Sequence, residues 1–289
     1  MALLGALRSS GGAALGEHGG TRPQHRRTTG IILLVVGALL FSLIIALPII
    51  AIFARVLPTG TLFSTFARPI VLEALRLSAL TTLCTLGLTL VLGTPIAYLL
   101  ARHRFPGKAV IDSLIELPMV LPPAVAGIGL LMAFGRRGIV GEPLSALGIT
   151  IGFTTVAVVL AEFFVAAPFY VRAARSAFDS VDRELETVSR TLGVSDWATF
   201  WRVTVPVAFP SLLGGAVMCW ARALGEFGAT IMFAGSFQGR TQTMPLAIYA
   251  AMESDLDAAL VLSAILTLVS FAILVLLRIS VARLGGRYA

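Results

Sequence analysis

Six stretches of this chain are apolar over lengths that match the hydrocarbon core of a bilayer, and nothing else in it restricts the fold so sharply. Three of them, Ile31 to Ala54, Leu77 to Ala101 and Ala258 to Leu277, hold no charged residue at all. About twenty apolar residues in a helix cross a membrane. Inside hydrocarbon every backbone N–H and C=O must be paired within the structure, which restricts a spanning chain to helices or a closed barrel. Runs this long, without strict alternation, specify helices. The spans are predicted at 31–54, 77–101, 109–135, 149–171, 207–234 and 258–277. Only 13% of residues are charged, against about a quarter in a soluble domain. The expected fold class is an all-α polytopic membrane protein with six transmembrane helices.

In a soluble protein a net charge of +7 would point to nucleic acid. Here the basic residues sort by side of the membrane instead, so membrane lipid is the expected neighbour and no nucleic-acid partner is implied. With the N-terminus inside, the cytoplasmic segments carry Arg8, Arg22, Arg26, Arg27, Arg102, Arg104, Lys108, Arg172, Arg175, Arg183, Arg190, Arg202, Arg278, Arg283 and Arg287. The outer segments carry Arg55, Arg68, Arg76, Arg136, Arg137 and Arg240. Fifteen against six orients the chain with both N and C termini cytoplasmic. Residues 1–29 are Gly- and Arg-rich without helical period and read as a disordered cytoplasmic tail. A cleaved signal peptide is disfavoured because the apolar run after it is too long for one. Residues 30–283 form the membrane domain, and 284–289 a short C-terminal tail.

Between spans 4 and 5 lies a cytoplasmic loop, 179–206, much longer than a simple connection needs. Val181, Leu185, Val188 and Leu192 recur at helical spacing among Arg183, Glu184, Glu186 and Arg190, which makes one amphipathic helix. Gly193 permits a turn, and Ser195 suits the N-cap of a second short helix. On that helix Trp197, Phe200 and Trp201 fall at i, i+3 and i+4, on one face, and Pro206 ends it. Three readings stay open on physics alone: a helix lying in the lipid interface, a loop packed on its own bundle, or a knob with aromatic anchors that enters a cytosolic partner.

Spans 3 and 5 carry the other candidates. Pro118, Pro122 and Pro123 break span 3, with Gly127 just beyond them. Proline removes backbone donors, so the break is either a packing kink or the shaping of a gate along a wet path. Span 5 holds Gly225, Phe227, Gly228 and Thr230, among them small residues that let helices approach closely. It also holds Arg222 and Glu226, four residues apart and able to pair on one helix face. A structural ion pair is the favoured reading, and binding of an anion in transit by Arg222 the other. No catalytic residues stand out, and no metal ligands: Cys84 and Cys219 lie in apolar runs, and His18, His25 and His103 lie in the tail or a basic loop.

The loop resembles the cytoplasmic Glu-Ala-Ala loop of binding-protein-dependent ABC importer permeases. Gly193, Val203, Val205 and Pro206 stand at that family's offsets. The family's Glu falls on Thr187 and its two Ala on Val188 and Ser189, with Glu186 one residue early. "RHRFPGKAVIDSLIELPMVLPPAVAGIGLL" (Arg102 to Leu131), "RALGEFGATIMFAG" (Arg222 to Gly235) and "GRTQTMPLAIYAAMESDLDAAL" (Gly239 to Leu260) resemble the molybdate permease group, and less closely the sulfate permeases. The resemblance implies a type I importer permease fold, a cytoplasmic membrane location in a prokaryote, and import of molybdate, with tungstate or sulfate as alternatives. It implies a homodimer, two copies of a cytoplasmic ABC ATPase that receive the loop, and an extracytoplasmic oxyanion-binding protein. The chain has no G-x-x-x-x-G-K-[ST] phosphate loop. ATP and Mg²⁺ are therefore expected on the ATPase, and no cofactor on this non-catalytic chain. A gradient-driven transporter would show inverted repeats, and a membrane enzyme a constellation of catalytic groups at depth. Neither is visible.

Overall fold

A computed structural model describes residues 24–60 and 62–285, and every regular element among them is helical. The described residues fall into two compact units, divided between Ala51 and Ile52. The first is the body of α1 (Gln24–Val56). Helix begins at Gln24, inside the tail predicted for 1–29; the rest of that tail and residues 286–289 lie outside the described residues.

The second unit continues through α2 (Leu62–Phe66), the long α3 (Pro69–Arg102), α4 (Lys108–Val120), α5 (Pro123–Phe134) and α6 (Gly141–Ala146). Next come α7 (Thr155–Ser180), α8 (Arg183–Thr191), α9 (Asp196–Thr199), α10 (Val205–Leu224), α11 (Gly228–Ala234), α12 (Met244–Met252) and α13 (Leu256–Gly285). Five helical stretches are long and apolar enough to cross a membrane: Leu33–Val56, Pro69–Arg102, Thr155–Ser180, Asp196–Leu224 and Leu256–Val275. Helices α4 and α5 bring the number to six if they form one bent span.

Three departures from the sequence-based expectation have clear causes. Span 3 is broken as expected, the chain bending by 118° between α4 and α5, but not at every proline. Pro118 does not break it; that proline sits inside α4. The bend falls at Leu121 and Pro122, both extended with ψ of 134° and 136°. A residue before proline is pushed out of helical geometry, and two consecutive prolines do this twice. Pro123 then starts α5, where a missing N–H costs nothing. Span 5 is likewise interrupted, at Gly225–Phe227, between α10 and α11.

The third departure concerns Pro206, which does not end the second helix of the loop. Helix runs from Asp196 to Leu224 because Phe200–Thr204 form a π turn in which the Val205 N–H donates to the Phe200 carbonyl. Such a turn inserts one extra residue into a helix and carries the chain past the missing donor of Pro206. Span 4 also lies further along than predicted. It runs from Thr155, capped by the Thr154 hydroxyl, which accepts from the Ala157 N–H at 3.3 Å, to Ser180.

Helices α3, α7 and α10 pack as a central trio around Ala97, Ala166, Tyr170, Ala174, Phe178 and Ala216. Small residues set their spacing. A Cβ on Gly215 would stand 2.7 Å from the Ala173 Cβ, so α10 and α7 approach as closely as backbones allow. Two smaller cores flank the trio. One joins α3, α12 and α13 around Val71, Met244 and Val261, and the other joins α5, α7 and α11 around Ala126, Val158 and Phe233.

Candidate functional site

At the end of the bundle where α3 finishes, the loop between α7 and α10 is tied down by one carboxylate. Asp182 caps α8, accepting from the Glu184 N–H at 2.9 Å. Gly193 turns the chain at φ +83°, a left-handed geometry that other residues adopt only with strain. Ser195 caps α9, accepting from the Ala198 N–H at 3.3 Å. Glu186, inward on α8, is buried. Its Oε1 accepts from Arg102 Nη2 at 2.9 Å and from Thr204 Oγ1 at 2.8 Å. Its Oε2 lies 3.5 Å from Arg190 Nη2. Arg102 also donates to the Val181 carbonyl at 3.0 Å, and the hydroxyls of Ser189 and Thr199 meet at 2.9 Å. Glu186 thus holds together the end of α3, helix α8 and the π turn. Thr187, its neighbour at the family's Glu position, is exposed.

The three aromatics touch one another but do not share one environment. Phe200 packs inward against the central trio, edge-on to Tyr98 at 4.9 Å between centroids and 6.0 Å from Phe178. Trp197 is 71% exposed, and Trp201 is exposed beside it, with ring centroids 5.7 Å apart. Both tryptophans line an apolar cavity of about 780 Å³ with Pro95, Tyr98 and Phe209 of α3 and α10. They turn toward the spanning helices. The outward face of α8 presents Leu185, Val188 and Leu192 instead, all exposed.

Deeper in the bundle the two helix breaks cross. A Cβ on Gly228 would collide with the Pro123 side chain, and a Cβ on Gly127 would stand 2.6 Å from Met232 Cβ and 2.8 Å from the Ala229 carbonyl. Pro123, Gly127 and Gly228 are therefore brought together. Phe227 lies beside them with its ring 5.1 Å from that of Tyr249. Gly225, where a Cβ would meet only the Ala221 carbonyl at 3.7 Å, merely ends α10. The Thr230 hydroxyl is buried without a hydrogen-bond partner. Pro118 stands apart on α4, a helix with no buried residue in the single chain.

Arg222 and Glu226 form the expected pair, Nη2 to Oε2 at 2.7 Å, but not along one helix face. Arg222 is in the last turn of α10, and Glu226 lies beyond its C-cap, Gly225. The pair bridges the break. The other oxygen of Glu226 accepts from the Ala229 N–H at 2.8 Å, in the first turn of α11. Glu226 is 1% exposed and Arg222 30%.

A third polar group escaped sequence-based reasoning. Glu162, buried on α7, accepts from Thr81 Oγ1 at 2.8 Å and from Thr85 Oγ1 at 2.9 Å, both on α3. Thr82 accepts from Trp220 Nε1 at 3.2 Å, and Ser78 accepts from the Met244 N–H at 2.8 Å. The signal was present in the sequence: Ser78, Thr81, Thr82, Thr85 and Thr89 recur at helical spacing on one face of an apolar run. A hydroxyl face inside a span marks contact with polar groups of other helices. Among the described residues no cluster of three or more His, Cys, Asp or Glu side chains could hold a metal ion.

The clamped loop and the crossed, proline- and glycine-rich breaks thus lie at opposite ends of α10. A family model described as the binding-protein-dependent transport system inner membrane component matches residues 93–288. The chain belongs to this family of ABC importer permeases. The permease is 44% identical over 226 residues to the molybdenum transport system permease protein ModB of Mycobacterium tuberculosis, covering 78% of this chain and 85% of that one. To ModB of Escherichia coli K12 it is 44% identical over 185 residues, 64% of this chain and 79% of the other. To sulfate permease 2 of the Chlamydomonas reinhardtii chloroplast it is 36% identical over 269 residues, 90% and 73%. Its fold is similar to the bacterial ABC transporter that imports the acidic polysaccharide alginate, with TM-score 0.68, 17% identity and coverage of 89% of this chain and 96% of that one. It is similar also to the inward-facing methionine transporter MetNI, with TM-score 0.59, 17% identity and coverage of 74% and 96%. The permease is the non-catalytic, multi-pass inner-membrane subunit of a prokaryotic ABC importer, the kind of assembly that includes a binding protein and an ATPase.

Proposed function

We propose that this permease carries molybdate across the membrane. What supports that substrate is the 44% identity shared with molybdenum permeases, above the 36% and 33% shared with two sulfate permeases. Sulfate remains the second reading because the match to the algal sulfate permease extends over 90% of the chain. Two copies of the permease stand about a two-fold axis that carries the pathway, which fits the prevalence of cyclic dimers. Both termini face the cytoplasm, in keeping with the distribution of basic residues. Two ATPase subunits bind ATP and Mg²⁺, and an oxyanion-binding protein delivers the substrate to the opposite face.

In this reading the ATPase grips α8. Its exposed Leu185, Val188 and Leu192 form an apolar stripe of the kind that enters a groove. Thr187 lies on the same exposed helix, Gly193 sets the angle to α9, and the Glu186 knot passes the pull to α3 and α10. The crossed breaks at Pro122–Pro123, Gly127 and Gly228 form the gate. The Arg222–Glu226 pair holds α10 to α11, since Glu226 already neutralises the arginine. The test is reconstitution of the permease with its ATPase and addition of binding protein loaded with molybdate, tungstate or sulfate. Faster ATP hydrolysis with molybdate alone supports the proposal, and stimulation by sulfate in preference to molybdate replaces it with the second reading.

A further inference from the structure

The apolar cavity beside Trp197 and Trp201 does not end at the tryptophans. A second, polar pocket of about 500 Å³ adjoins it, and the two share Tyr98 and Asp196 in their walls. The first is walled by α3 from Leu90 to Leu99, about 13 Å of helix, and by Phe209, Leu212 and Leu213 of α10. The second is lined by Arg102, Arg183, Arg190 and His103. An occupant that fits both must be apolar over most of its length and anionic at one end.

The charges in the polar pocket are not balanced from within. Its three guanidinium groups face two carboxylates, Glu186 and Asp196. Arg102 is bound by Glu186 at 2.9 Å, and Arg190 by Asp196 at 2.8 Å. Arg183 makes only a long donation to the Ala101 carbonyl, at 3.5 Å. Arg102 adds an unmet donor: its side chain is 6% exposed, yet its Nε–H is buried with no acceptor. Buried donors of this kind are satisfied in nearly all native structures. Tyr98 stands at the junction of the two pockets, Trp197 and Trp201 line the apolar one, and such aromatics favour the depth where headgroups meet acyl chains. A second copy of this chain is a poor occupant, because a protein of net charge +7 brings no anionic excess to an arginine pocket.

We propose that the groove between α3 and α10 and the arginine pocket at its end form a binding site for one anionic phospholipid. An acyl chain lies along Leu90 to Leu99, and the phosphate sits among Arg102, Arg183 and Arg190. The site joins α3 to the loop that carries α8, so its lipid stiffens the connection between that loop and the spans. This inference rests on the membrane location alone and is independent of the transported substrate.

The test uses the full-length permease, stripped of lipid in detergent and titrated separately with phosphatidylglycerol and phosphatidylcholine, with bound lipid counted by native mass spectrometry. One phosphatidylglycerol should bind at least about tenfold more tightly than phosphatidylcholine, the ratio expected of one charge-assisted contact. Arg183→Gln, which disturbs no ion pair, should erase that preference. Leu213→Trp, which fills the groove, should weaken both lipids while leaving the elution profile unchanged. A photo-crosslinking residue at Val91 in membranes should capture lipid. Equal affinity for the two lipids, an unaltered preference in Arg183→Gln, or capture of a second protein chain at Val91 would each overturn the proposal.

Discussion

Removing the Glu186 carboxylate should cost this protein more than removing the whole ion pair. The Glu186→Ala change deletes the acceptor of Arg102 Nη2 and Thr204 Oγ1 and the partner of Arg190. Arg102 is left charged with 6% of its side chain exposed, so little water can replace the lost partner. Stranding one member of a buried pair costs about 3–5 kcal/mol. The Val181 carbonyl, still 3.0 Å from Arg102, returns part of that. Arg190 contributes little, because its side chain is 48% exposed and keeps Asp196. We expect a net loss of about 3 kcal/mol. In the double variant Arg102→Met with Glu186→Leu, the stranded charge is gone and apolar volume fills the gap, so more than half of the loss should be recovered. Cys219 supplies the assay, being fully buried in the central trio. With the exposed Cys84 replaced by Ala, maleimide reaction on heating reports opening of the core. The single variant should react at a clearly lower temperature than the parent, and the double variant between the two. If the single variant matches the parent, or the double opens as early as the single, the buried-charge reasoning is refuted.

Other contacts carry their own expected outcomes. Gly228→Ala should abolish vesicle uptake while Gly129→Ala, whose Cβ would meet nothing within 4 Å, leaves it intact; equal uptake by both would remove the crossed breaks from the gate. Arg222→Gln should lower membrane yield more than Glu226→Gln, since it strands a carboxylate that is 1% exposed, whereas the second change leaves an arginine that is 30% exposed and an amide oxygen that can still accept from the Ala229 N–H; the reverse order would refute the pair as a structural tie. Val188→Asp should release the ATPase on co-purification, a loss of about 2 kcal/mol or more for an interface anchor, whereas retention of the ATPase would move the docking face off α8. Glu162→Gln should keep a folded yield near that of the parent, because an amide can still pair with Thr81 and Thr85. Glu162→Leu, which strands both hydroxyls, should lose about 1–3 kcal/mol, read as a lower temperature of aggregation.

Long apolar runs were legible because their constraint is local: each must satisfy its own backbone within the hydrocarbon. The cap at Ser195 and the turn at Gly193 were legible for the same reason, being properties of a few adjacent residues. Pro118 and Pro206 misled because a proline's effect depends on what the surrounding helix can absorb. Near the end of α4 little is left to break, and at Pro206 a π turn takes up the missing donor. Pro122 and Pro123 acted as expected because adjacent prolines leave no helical alternative. The aromatic triplet was read as one face from its spacing, but the π turn begins at Phe200 and re-phases every residue beyond it. Which residues Glu186 and Glu162 pair with was not legible, for a different reason. Arg102 and Thr81 are more than eighty residues away in sequence, and only the packing of α3 on α7 and α8 brings them together.

The π turn at Phe200–Thr204 also fixes how motion can pass through the loop. One surplus residue in a helix advances everything beyond it by about 100° of rotation. Tyr98 and Phe200 meet edge-on, and Pro206 enters α10, only while that surplus is retained. A turn of this kind can shift along a helix one residue at a time by exchanging carbonyl partners without breaking the chain. If the ATPase grips α8 as proposed, this link between α9 and α10 would act as a screw coupling rather than a rigid rod, turning α10 about its own axis. Deleting a single residue between Phe200 and Thr204 should then leave every span in place and rotate α8 out of phase with α10.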